Sequence, residues 1–172
     1  MDGMAVLKKF ALFNGLTDDD LARIAELCHP YSMTEGHQIF AEGSQAKDVH
    51  LCRSGKVEIS IRLGQPWNRN MLIHRAGQGE VFGWSALVAP YIYTASAECI
   101  EAGEEIRIKG SELLALFKKN TAIGYTVMEN LGASISLRLA QTRQKLIEEW
   151  LGSSWSVNPI AWGESDKRKS SI

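Results

Sequence analysis

The residues of this chain best suited to holding another molecule lie between Val81 and Cys99, VFGWSALVAPYIYTASAEC. Phe82 offers an apolar anchor, and Gly83 a residue free to turn. Ser85, Ala86 and Leu87 can make one helical turn whose first backbone N–H groups lack partners within the turn. Such a turn suits an anion or a carbonyl oxygen. Trp84, Pro90, Tyr91 and Tyr93 crowd around it. Thr94-Ala95-Ser96-Ala97 then alternates small residues, as a strand does where something must come close. The chemistry is recognition: the chain makes room for a ligand, a partner or one of its own aromatics.

Catalytic constellations are not evident beside it. His29, His37, His50 and His74 are scattered, with no HxH pair and no glutamate at ligand spacing after one. A jelly-roll metal enzyme would cluster them. No Ser/His/Asp or Cys/His arrangement and no P-loop stands out. We therefore expect no enzyme, no metal site and no cofactor. Cys28, Cys52 and Cys99 are odd in number, widely spaced and free of any CxxC, which reads as buried reduced thiols in a cytoplasmic protein.

Composition narrows the class further. The 172 residues carry 19 basic and 20 acidic side chains, a net charge of −1, so no basic field argues for nucleic acid or an anionic membrane. Apolar runs fall short of a membrane span, and the N-terminus MDGMAVLKKF has no long apolar core like that of a signal peptide.

The elements that must position the segment follow from periodicity. Met4 to Phe13 reads as a short helix, broken by Asn14-Gly15. Thr17 followed by Asp20 fits a capping box, and Leu21, Ile24, Ala25, Leu27 and Cys28 place an amphipathic helix over 18–28. From 29 to 109 glycines recur between short apolar segments. Val57, Ile59, Ile61 and Leu63 alternate with polar residues as in a half-buried strand. Val49–Leu51, Met71–Ile73 and Ile106–Ile108 read as further strands. Gly55 suits a tight hairpin turn, and 65–70 a longer tip. The fold class is mainly β with flanking helices: a β-roll or jelly roll with N-terminal helices and a long C-terminal helix.

Ser111 opens a short helix through Phe117, and a long one starts at Asn120 or Thr121. Its stripe of Ile123, Val127, Leu131, Ile135, Leu139, Thr142, Leu146 and Trp150 is too long for one roll to cover. From Val127 to Trp150 it is the candidate homodimer interface. Arg138 and Arg143 read as solvated or ion-paired. The expected division is a sensory roll over 1–118, a dimerisation helix over 119–151 and a disordered tail over 152–172. Trp155 and Trp162 make that tail a candidate hook for a protein partner.

With this order of elements, the chain resembles the cyclic-nucleotide-binding domain family, in particular the sensory half of catabolite-activator-like bacterial regulators. The resemblance rests on Leu12-Phe13-Asn14-Gly15-Leu16-Thr17, Glu42-Gly43, Ser54-Gly55-Lys56-Val57, Gly79-Glu80-Val81-Phe82-Gly83 and Ile135-Ser136-Leu137-Arg138-Leu139, and covers about residues 5–150. It implies that 79–94 is a phosphate-binding cassette and that the long helix pairs.

The resemblance also exposes two departures. In nucleotide-binding members Phe-Gly is followed by a glutamate that holds the ribose hydroxyl, and a later arginine neutralises the cyclic phosphate. Here Trp84 and Tyr93 stand at those positions. Indole has no acceptor, and phenol no positive charge. Two lost charge-assisted contacts of about 1.5–3 kcal/mol each imply a loss of some hundreds-fold in affinity. What remains is Gly83, the Ser85 and Ala86 amides and Thr94, unless Arg62, Arg69, Arg75 or Arg107 substitutes.

The second departure is that no helix-turn-helix follows the long helix, so DNA binding is not expected. The candidate ligand site is therefore Phe82, Gly83, Trp84, Ser85, Ala86, Tyr93 and Thr94, for a small molecule other than cyclic AMP or cyclic GMP. Trp84 filling a ligand-free pocket in a structural or interaction dimer stands beside it as the alternative.

Overall fold

The computed structural model describes residues 3–151, with side chains through 148. The segment 152–172, with its expected disorder and its partner hook at Trp155 and Trp162, lies outside the described residues, as does the side chain of Trp150.

Two short helical pieces open the chain, α1 (Gly3–Leu7) and a 3₁₀ turn (Ala11–Phe13), where one helix over 4–13 was expected. The helix stops because Phe10 is extended (φ −102°, ψ 121°). That break lets Leu7, Phe10, Leu12 and Phe13 all be buried, which a single straight helix could not do with this spacing. Helix α2 (Asp18–Ala25) has the expected capping box, with Thr17 and Asp20 exchanging hydrogen bonds. It ends three residues before the expected Cys28.

Eight strands follow: β1 (His29–Met33), β2 (Gln38–Phe40), β3 (Asp48–Cys52), β4 (Lys56–Leu63), β5 (Arg69–Ala76), β6 (Val81–Phe82), β7 (Ser96–Glu101) and β8 (Gly103–Lys109). They form two four-stranded sheets, ordered β1-β8-β3-β6 and β2-β7-β4-β5. All pairings are antiparallel. Gly55 turns β3 into β4 at φ +80°, where a Cβ would lie 2.5 Å from the Glu101 carbonyl.

The first sheet has apolar residues on both faces. Val49, Leu51, Ile106 and Ile108 join Leu7, Leu21, Ile24 and Leu113 in the larger hydrophobic cluster. The alternate residues look into the roll. His50 pairs with Phe82 and Arg107, and Cys52 with Glu105. Cross-strand partners share a face, so all five point the same way. There Cys52 and Phe82 meet Val57, Ile59, Ala76, Ala97 and Cys99 of the second sheet in the smaller cluster.

Helix α3 (Gly110–Lys119) leads into the 31-residue α4 (Thr121–Leu151). Gly124 lets the two approach, since a Cβ there would lie 2.8 Å from Phe117 Cβ. Asn130 Nδ2 ties α4 to the N-terminal segment through the carbonyls of Leu12 (3.1 Å) and Asn14 (2.8 Å). The chain divides into two compact units, Met1–Ser136 and Leu137–Ile172, with α4 running through the boundary.

Candidate ligand-binding site

The cassette begins where β6 ends. Gly83 adopts φ +70°, a left-handed conformation that suits glycine. The expected helical turn follows as a 3₁₀ turn, Trp84–Leu87. Its Ala86 N–H donates to the Gly83 carbonyl at 3.1 Å. One of the two amides expected to hold an anion is thus already engaged. The loop beyond is stitched to residues 43–46: Ala46 N–H donates to Tyr91 O (2.8 Å), Tyr93 N–H to Ser44 O (2.9 Å) and Gly43 N–H to Tyr93 O (2.8 Å). This backbone ladder holds the loop against residues 43–46.

Tyr93 turns inward and is 5% exposed. Its ring stacks on Phe40 with centroids 3.7 Å apart and planes 7° from parallel. Its hydroxyl donates to the Asp48 carbonyl (2.9 Å) and accepts from the Asp48 N–H (3.3 Å). Nε2 of His50 lies 3.3 Å from the same oxygen. The other ring nitrogen, Nδ1, is 2.7 Å from Glu105 Oε2. Arg107 closes the chain on Glu105 Oε1, with Nε at 2.7 Å and a second guanidinium nitrogen at 2.6 Å. The guanidinium also lies 4.2 Å from the centroid of the Tyr31 ring. A path of polar groups therefore runs from the partly exposed Arg107 to the buried phenol.

Electrostatics follow from this burial. Desolvation pushes the Tyr93 phenol up from its ordinary value, against the opposing Asp48 contact. For Glu105, fully buried, desolvation works toward a higher value. The hydrogen bonds and charges of His50 and Arg107 outweigh it, and the carboxyl is held below its ordinary value. Among the described residues, no buried side-chain nitrogen or oxygen lacks a partner.

The structure divides the expected site residues. Phe82, Gly83 and Tyr93 gather around His50: the His50 ring stacks on Phe82 at 4.9 Å, and a Cβ on Gly83 would meet His50 Cδ2 and Phe40 Cε1. Ala86 is buried in the larger cluster, Ser85 half-buried and Thr94 exposed. Trp84 lies beside them, on the cluster that also contains Tyr93. It packs half-buried on the larger cluster, while the space beneath Gly83 is filled by His50 and Phe40, with Tyr93 stacked on the latter.

Phe40, His50 and Glu105 were not legible as site residues. The one sequence signal was Glu105 and Arg107 two apart in a strand, hence on one face.

The four arginines considered as substitutes are spread out. Arg107 is held by Glu105, Arg75 by Glu58 (3.3 Å) and Arg62 by Asn68 (3.0 Å), while Arg69 is exposed. His74 Nε2 lies 2.8 Å from Glu80 Oε1. Among the described residues no group of three His, Cys, Asp or Glu could hold a metal. Cys52 and Cys99 are buried; desolvation pushes the Cys52 thiol up to about 11 and that of Cys28 to about 12. No described helix is long and apolar enough to cross a membrane.

The stripe of α4 also divides. Val127 and Leu131 are buried inside their own unit with Ile123, so they are not free to form a seam between copies. Each contributes about 1.5–3 kcal/mol to the monomer's own fold. In the second unit Leu137 (61%), Leu139 (69%) and Leu146 (42%) are exposed, and Thr142 is half-buried with its hydroxyl bonded to Arg138 O. Ile135, at the end of the first unit, is half-buried.

Comparison with known proteins agrees with this architecture. The model of the cyclic nucleotide-binding domain matches residues 31–120. A CRP-like cAMP-activated global transcriptional regulator of Mycobacterium tuberculosis is 27% identical over 83% of this chain, which spans 61% of that regulator's length. A solved structure of a Geobacter metallireducens protein, described as cyclic nucleotide-binding, is 29% identical. It covers 81% of this chain and 98% of its own, with a TM-score of 0.70. The catabolite activator protein of Thermus thermophilus is 26% identical with a TM-score of 0.66, over 82% of this chain and 62% of its own.

Proposed function

Because this chain belongs to the cyclic nucleotide-binding domain family, we propose that it is a non-enzymatic sensory or regulatory module whose cassette has lost tight cyclic-nucleotide binding. The observation that carries this reading is Tyr93. At the position where the resemblance places the phosphate-neutralising arginine stands a buried phenol, hydrogen-bonded to the Asp48 backbone and stacked on Phe40. It brings no positive charge, and it faces into the roll. Trp84, at the position of the ribose-holding glutamate, offers only a donor.

In this reading residues 1–118 form the sensing body and the helix of 119–151 joins two copies through its exposed leucines. The chain spans three-fifths of its Mycobacterium relative. DNA contact, the activity implied by that relative's description as a transcriptional regulator, is not assigned to residues 3–151.

Calorimetric titration with cyclic AMP and cyclic GMP tests the proposal. The expected result is no binding, or binding weaker than micromolar. A dissociation constant in the micromolar range or tighter, the class of about −8 kcal/mol, overturns it. A second reading, a ligand-free interaction dimer, is favoured by the pairing of every buried side-chain nitrogen and oxygen among the described residues; it differs in that no small molecule would shift the module's unfolding temperature.

A further inference from the structure

The Tyr93 side chain has the attributes of a bound ligand. It is a planar ring in an aromatic slot: Phe40 lies parallel at 3.7 Å, and the His50 ring sits at 6.4 Å, tilted by 52°. Its one polar atom meets three groups that do not come from its own segment, namely the Asp48 carbonyl, the Asp48 N–H and His50 Nε2. His50 is in turn oriented by Glu105, and Glu105 by Arg107. This is a pre-formed receptor for a hydroxyl group, built on two strands of the first sheet and buried.

The phenol reaches the receptor from the cassette loop. That loop is held to residues 43–46 mainly by backbone hydrogen bonds, which do not require the side chain to be inside. Val88, Ala89, Pro90, Tyr91 and Ile92 just before it are all exposed, as is Thr94 just after it. Tyr93 is thus an inward-facing residue in an otherwise solvent-facing stretch.

We propose that Tyr93 is an internal stand-in for the module's ligand, and that the ligand is a small planar aromatic bearing a hydroxyl group, which displaces it. The ring must stack on Phe40, and the hydroxyl must satisfy His50 Nε2 and the Asp48 backbone. A ring without the hydroxyl would leave those buried polar groups unpaired. Displacement frees Tyr93 to move outward and pulls on the 88–94 loop, which gives the cassette two states. This rests on the reading of the roll interior as the module's sensing site.

The test uses p-cresol, the side chain of tyrosine as a free molecule, with toluene as the control lacking the hydroxyl. Tyr93→Ala is expected to unfold at a lower temperature than wild type, to regain part of that loss in p-cresol, and to bind p-cresol roughly ten-fold tighter than toluene. Wild type is expected to bind p-cresol too, but more weakly, because its own phenol competes. If Tyr93→Ala is as stable as wild type, or prefers toluene, or if wild type shows no saturable p-cresol binding by calorimetry, the proposal is overturned. Should Tyr93→Ala fail to fold, Tyr93→Phe with wild type carries the test. Loss of the hydroxyl must weaken the competing internal ligand, so Tyr93→Phe must bind p-cresol more tightly than wild type does. Cyclic AMP is titrated into the same samples: tight cyclic AMP binding defeats the broader sensory reading, whereas silence toward both compounds defeats only the phenol assignment.

Discussion

A Cβ on Gly83 would lie 2.7 Å from Cδ2 of His50. The cassette backbone therefore rests directly on the imidazole, and the absence of a side chain at 83 is what lets His50 sit between Phe82 and the Tyr93 hydroxyl. The same Cβ would also come within 3.2 Å of the Asp48 carbonyl, which accepts from Tyr93. One glycine thus sets the height of the cassette above the whole polar chain.

Gly83→Ala should accordingly do two kinds of damage. The residue would be held at φ +70°, a conformation costing about 1–3 kcal/mol for a non-glycine residue, and its methyl would push His50 off its partners. We expect a fall in unfolding temperature of several degrees, at about 2–4 °C per kcal/mol for a domain of this size. Thermal unfolding followed by circular dichroism checks it; an unchanged transition would mean that the cassette is not seated on His50.

Glu105 gives a pH dependence whose sign is fixed. Its carboxyl ionises below its ordinary value of 4.5 in the folded chain and near that value in the unfolded one. The stabilisation it supplies is complete above pH 4.5 and disappears as pH falls through the lower folded value. Glu105→Gln should lower stability at neutral pH by about 1.5–3 kcal/mol, the range of hydrogen bonds to a charged group. The gap between variant and wild type should then close on acidification below 4.5. Urea unfolding at stepped pH measures it; a gap that widens toward acid would contradict the assignment.

Much of the architecture could be read from residue order alone. Strand β4 follows the alternation of Val57, Ile59, Ile61 and Leu63, and helix α2 begins at the Thr17–Asp20 box, because both signals are local. The site was less legible. Whether His50 meets Glu105 depends on the register between β3 and β8, whose strands lie 55 positions apart in the chain, and no local pattern encodes that. Trp84 and Tyr93 were both aromatic and both in the cassette. Tyr93 goes in because its ring and hydroxyl meet Phe40, Asp48 and His50, partners more than 40 positions away in the chain. The leucines of α4 repeat evenly, yet burial ends between Leu131 and Leu139, a division set by where the core stops and not by the helix itself.

That division of α4 predicts two opposite outcomes. Leu139 is 69% exposed, and Val127 is fully buried. Leu139→Asp should leave the unfolding temperature of the monomer nearly unchanged and abolish pairing. Val127→Asp should destabilise the fold by several kcal/mol, by burying an unpaired carboxylate. Light scattering at tens of micromolar is expected to show wild type as a dimer and Leu139→Asp as a monomer. A wild-type monomer under these conditions would remove the pairing role of the helix.

If the cassette residues alone set the proposed loss of cyclic-nucleotide affinity, restoring them should reverse it. Trp84→Glu returns an acceptor for a ribose hydroxyl, and Tyr93→Arg returns a cation while vacating the slot on Phe40. At about 1.5–3 kcal/mol per charge-assisted contact, the double variant should bind cyclic AMP some hundreds-fold more tightly than wild type, and each single variant far less. Trp84 is half-buried on the larger cluster, so its replacement should cost less than the about 3–5 kcal/mol typical of a fully buried aromatic. Tyr93→Arg carries the greater risk, since the guanidinium can turn toward Glu105 and leave the cassette without its charge. Adding Glu105→Gln to the double variant removes that competing partner. If the triple variant is folded by circular dichroism and still fails to gain cyclic AMP binding, then the identities at 84 and 93 do not govern ligand choice. The shape of the roll beneath Gly83, with Phe40 and His50 already in place, would have to be what excludes the nucleotide.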